Sequence, residues 1–157
     1  ELVSEAGEDD NLNGIETTFN VSTISFTLNP SVLIFVPTSS SQNCTANVFR
    51  YKVYMHTTGA PQNVEIQART IQNGGNRFPA TSLYDALPLI GPRDLSPENG
   101  GSYITIPNNG NAAIKVFEFV GCRNDIPVQF KVKPSVKAKA GDYSNIKIFY
   151  TIVGSIL

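Results

Sequence analysis

Val48-Phe-Arg-Tyr-Lys-Val-Tyr-Met-His-Thr57 sets Phe49, Tyr51, Val53 and Met55 on one parity and Arg50, Lys52, Tyr54 and His56 on the other. Successive side chains of an extended strand point to opposite faces, so this alternation predicts a half-buried β-strand. The same period recurs on both sides of it. Val64, Ile66 and Ala68 alternate with Glu65, Gln67 and Arg69; Val128, Phe130 and Val132 alternate with Gln129, Lys131 and Lys133. Near the end, Ile146, Ile148, Tyr150 and Ile152 alternate with Lys147, Phe149, Thr151 and Val153. No run carries a long apolar stripe at helical spacing. With Gly, Pro and Asn turns between the strands, the expectation is an all-β, two-sheet sandwich of about seven to nine strands, immunoglobulin-like or jelly-roll.

The 157 residues suit one domain, and 41% apolar with 16% charged residues suits a packed one. A net charge of −1 offers no field for gathering phosphate polymers, so nucleic acid is not expected as a partner, and self-association is permitted. The longest apolar run, Val32-Leu-Ile-Phe-Val36, is far short of the ~18 residues that cross a bilayer as a helix, so no membrane insertion of the mature chain is expected. Leu2, Val3, Glu5, Glu8, Asp9 and Asp10 stand where a secretory signal would need an apolar core, so either a leader was removed or the sequence is trimmed there; an extracellular or cell-surface location after signal-peptide removal is the expectation.

Cys44 and Cys122 lie too far apart for a redox Cys-x-x-Cys and are too few for a cysteine-built zinc site. They are expected to form one disulfide, the alternative being two buried free thiols. His56 is the only histidine and sits on the polar face of its strand, where a cross-strand structural role is expected. No nucleophile, base and orienting carboxylate occur together, so neither an enzyme nor a cofactor or metal site is expected. Asn20-Val-Ser22 and Asn43-Cys-Thr45 are N-glycosylation acceptors if the chain is exported into a compartment with that machinery.

From residue 15 onward, Ile15, Phe19 and Val21 share one parity and Ile24, Phe26 and Leu28 the other, so the apolar face switches near Thr23. Such a switch calls for a bulge, a crossing between sheets, or two strands with different partners. Residues 73–101, with their Gly and Pro, read as a long surface excursion containing a helical turn near Ser82 to Leu87. Asn109-Gly110 reads as a hairpin signal.

The segment Lys139-Ala-Gly-Asp-Tyr-Ser-Asn-Ile-Lys-Ile-Phe-Tyr-Thr-Ile152 resembles the last strand of bacterial fimbrial subunits of the chaperone–usher type, with Ala140, Gly141 and Tyr143 matching their Ala-Gly-x-Tyr step. The order of elements is similar too: an amino-terminal extension, a sandwich, one cysteine pair. The resemblance implies a structural filament subunit active in cell adhesion, polymerised head-to-tail by donor-strand complementation, with other copies of itself and an assembly chaperone as partners. It implies residues 1–22 as the extension and residues 23–157 as the sandwich. The donor plugs would be Ile15, Thr17, Phe19 and Val21. Two other functions compete. One is a secreted sandwich that binds carbohydrate or protein through Arg77, Tyr84 and Arg93; the other is a viral capsid or decoration jelly roll.

Overall fold

The computed structural model describes residues 22–28, 44, 47–81, 83–86, 93–134 and 146–156. Ten strands occur among them: β1 Ser22–Leu28, β2 Phe49–Thr58, β3 Val64–Arg69, β4 Asn76–Phe78, β5 Leu95–Pro97, β6 Ile104–Thr105, β7 Ile114–Val120, β8 Cys122–Asn124, β9 Ile126–Pro134 and β10 Lys147–Ile156. All pairings are antiparallel. One four-stranded sheet has the order β1-β9-β3-β6 and a second β10-β2-β7-β5, while β4 and β8 form a two-stranded ribbon.

Ribbon aside, the strands alternate strictly between the two large sheets along the chain, so each connection crosses the sandwich. The immunoglobulin arrangement keeps its first two strands side by side in one sheet. This chain instead takes the jelly-roll alternative. Asn109-Gly110 is therefore not a hairpin: it carries the chain from β6 in the first sheet to β7 in the second through a short 3-10 turn at Gly110–Ala112. The hydroxyl-rich and Gly-rich turns set a reversal, but tertiary pairing selects the sheet.

The core is where the two inward faces meet. Tyr51, Val53 and Met55 of β2, Ile66 and Ala68 of β3, Phe117 and Phe119 of β7, and Ile126, Val128 and Phe130 of β9 form one buried cluster. The alternation of β2 is as expected except at Phe49, which is 42% exposed. In β7 the register against β2 slips between Val53 and Tyr54, leaving Val116 as an extra residue, so Val116 and Phe117 are both buried in succession.

The region read as an irregular excursion holds β4, a 3-10 turn at Leu83–Ala86, β5 and a second 3-10 turn at Glu98–Gly101. Strands of three residues are too short to show a period. Asn99 at φ 54 and Gly100 at φ 62 give that second turn its left-handed bend.

Candidate functional site

The two margins of the sandwich differ. At one, β5 and β6 end the sheets, and Asn73 and Leu95 exchange hydrogen bonds between the end of β3 and β5: Asn73 N donates to Leu95 O and Leu95 N to Asn73 Oδ1, both at 2.9 Å. Leu95 is 0% exposed there and Ile106, next to β6, 4%. That side is closed.

At the other margin stand β1 and β10, the remaining edge strands among the described residues. β1 runs unbroken against β9, with Ile24 opposite Phe130, Phe26 opposite Val128 and Leu28 opposite Ile126. Directly opposed residues of a ladder share a face, so Ile24 points with Phe130 toward the core side. Yet Ile24 is 55% exposed. Across from it, Ile146, Ile148, Tyr150 and Ile152 pack on the core and are only partly buried, as is Val132 of β9. Burial still desolvates the Tyr150 phenol enough to push its pKa up.

β10 is ten residues long and pairs with β2 at every position from Lys147 to Ile156 without a bulge. Its outward face carries Phe149 and Val153, both exposed, with Phe149 stacked on His56 at 5.0 Å between ring centroids. Among the described residues, this long, regular edge with exposed apolar residues and no proline shows none of the usual protections against further strand pairing. The chemistry this margin can perform is strand addition: an extended segment would satisfy edge N–H and C=O groups and cover Ile24, Ile148 and Ile152 in one step.

The donor candidates Ile15, Thr17, Phe19 and Val21 and the glycosylation candidates Asn20 and Asn43 lie outside the described residues, as does the Val32–Val36 run. Cys44 and Cys122 form a disulfide with Cα atoms 5.6 Å apart, and both cysteines are buried. It ties the chain ahead of β2 to β8. Asn47 seals that corner, donating from Nδ2 to the Tyr51 hydroxyl at 3.0 Å. Burial raises the Tyr51 pKa, a shift its bond to Asn47 opposes.

Two residues of the ligand-binding alternative, Arg77 and Arg93, make contacts within the fold. Arg93 is fully buried; its Nε donates to Asp85 Oδ1 at 2.9 Å and Nη2 to the Pro79 carbonyl at 2.9 Å. Arg77 pairs with the other oxygen of Asp85. Arg123, also buried, donates to the carbonyls of Gly74 and Arg93 at 3.0 and 2.9 Å, and burial followed by the neighbouring Arg77 lowers its pKa. These arginines fasten the β4–β8 ribbon to the loop before β5. Tyr84 has no described side chain.

Among the described residues, no group of three or more His, Cys, Asp or Glu is arranged to hold a metal. No helix among them is long and apolar enough to cross a membrane. No family model, curated protein or solved structure matches the chain.

Proposed function

We propose that this chain is the structural subunit of an extracellular filament, polymerised head-to-tail as each copy donates an extended segment to the open margin of the next. The observation that carries the reading is the asymmetry of the sandwich, closed at Leu95 and Ile106 but exposing Ile24 between the edges β1 and β10. The donor is residues 15–21, with Ile15, Phe19 and Val21 as apolar plugs and Thr17 as the small one. Such a contact maps one surface onto a different one and does not close, so it propagates. An assembly chaperone would guard the margin before polymerisation, and the buried disulfide suits an oxidising, extracellular setting.

Deleting residues 1–21 spares every strand from β1 to β10, so the truncated chain should run as a monomer on gel filtration and show no fibres by negative-stain microscopy. Fibres formed by that truncation would refute donation by this segment.

The jelly-roll strand order favours one second reading, a shell-forming capsid or decoration subunit. Closed symmetric particles in the same micrographs, in place of fibres, would select it.

A further inference from the structure

Charge in this chain is divided along its length. No lysine or arginine precedes Arg50, while Glu1, Glu5, Glu8, Asp9, Asp10 and Glu16 do; all 12 basic residues and the other seven of the 13 carboxylates follow, an excess of five positive charges. On the outer face of the second sheet Glu118 and Glu98 engage two of the cations: Arg50 lies 3.1 Å from Glu118, and Lys115 3.2 Å from Glu118 and 3.0 Å from Glu98, with Lys52 and Lys147 on the same face.

On the outer face of the first sheet the cations gather around one aromatic ring. The registers line up Thr23, Lys131 and Gln67 in one row, Ser25, Gln129 and Arg69 in the next, and set Lys133 beside Glu65. Arg69 lies 4.6 Å and Lys131 4.2 Å from the centre of the Tyr103 ring, and Arg69 Nε donates to Gln129 Oε1 at 2.8 Å. Among the described residues no carboxylate reaches ion-pair distance of Arg69 or Lys131, and Glu65 approaches Lys133 only at 3.8 Å. Lys137 and Lys139 follow β9 in sequence. The strand flanking this patch is β1, the edge of the open margin, with Thr23 directly opposite Lys131.

We infer that the Arg69–Lys131–Lys133 face is the dock for the acidic stretch, residues 1–10, of the neighbouring copy. The inference rests on the strand-donation reading: a donor segment 15–21 lying along β1 and β10 brings its own acidic stretch, five residues upstream, within reach of β9. Opposite charges on two parts of one chain attract at range, speed encounter and favour the head-to-tail arrangement over head-to-head, where like would meet like.

The test is the growth rate of fibres from full-length protein, followed by light scattering and checked by microscopy. One variant reverses the face, Lys131→Glu with Lys133→Glu; a second reverses the stretch, Glu5→Lys, Glu8→Lys, Asp9→Lys and Asp10→Lys, altering no residue of β1 to β10. Each alone should grow at least about tenfold more slowly than wild type at low salt, and wild-type growth should slow comparably as salt rises from about 20 to about 500 mM. Mixed in equal amounts, the two reversed chains should recover growth, because each then meets its complement on the other. The dock is overturned if both variants grow at the wild-type rate, or if the mixture grows no faster than its parts. Those results, with fibres that still require residues 15–21, would leave strand donation standing; fibres from the chain lacking residues 1–21 would remove donation itself.

Discussion

Ile24 and Phe130 face each other across the β1–β9 ladder and point to the same side of the sheet, yet Phe130 is 1% exposed and Ile24 55%. One step toward the edge of the sheet takes a side chain from the core to solvent. Leu28, at the other end of β1, is buried in the core, so the exposed apolar surface on this face is at Ile24, with a half-buried row on β10.

Mutation should separate the two residues. Phe130→Ala empties a close-packed site and should cost about 3–5 kcal/mol of folding stability. Ile24→Ser should change stability by less than about 1 kcal/mol, since little burial is lost, while abolishing or strongly slowing fibre growth. Urea unfolding with growth assays on both variants checks this, and equal stability losses would contradict it.

Asp85 bridges Arg77 and Arg93 from a position eight residues from each. Asp85→Asn would leave the fully buried Arg93 guanidinium without its counter-charge, and a loss of about 3–5 kcal/mol is expected. Arg93→Met removes the charge along with the need for it and should be milder. Thermal unfolding of the two variants measures the order.

The Cys44–Cys122 link closes a loop of 78 positions, so Cys44→Ala with Cys122→Ala should lower stability by about 4.5 kcal/mol in the chain-entropy account. With both sulfurs buried, reduction of the folded protein should be slow and should accelerate in denaturant. Thiol titration against time reads both effects.

Glu118 is partly desolvated, which opposes ionisation, but Lys115 and Arg50 outweigh that and hold its pKa below the ordinary 4.5. A carboxyl depressed in the folded state stabilises the fold above its unfolded pKa and loses that contribution as pH falls through the folded one. Wild-type stability should therefore drop as pH falls below about 4.5, and Glu118→Gln should drop less. The raised Lys115 pKa, reached against burial through Glu98 and Glu118, acts oppositely: its contribution is full below 10.5 and fades as pH climbs through the folded value. Melting temperature against pH for Glu118→Gln and Lys115→Met tests the two signs.

Central strands could be read directly from the chain because a face buried against a second sheet enforces period two, as in Tyr51, Val53 and Met55 or Val128 and Phe130. Sheet membership could not be. Thr58-Gly-Ala-Pro61 and Asn108-Asn-Gly-Asn111 have the composition of hairpin turns, but each joins strands of different sheets. β4 and β5 are hidden by their three-residue length, and Val116 breaks the parity of β7 through a bulge. The buried arginines were missed because their carboxylate lies in a turn whose proximity only the fold creates. The first half of the parity switch near Thr23 lies outside the described residues, and the edge positions of β1 and β10 and the exposure of Ile24 emerge only from the register.

The most direct measurement is cross-linking between copies that carry one new cysteine each, Phe19→Cys in one preparation and Ile148→Cys in the other. Mixed and oxidised during fibre growth, they should yield a disulfide-bonded dimer of the two variants. If the mixture stays uncrosslinked while a single chain bearing both changes closes on itself at high dilution, the segment belongs to its own sandwich and the proposed exchange is wrong.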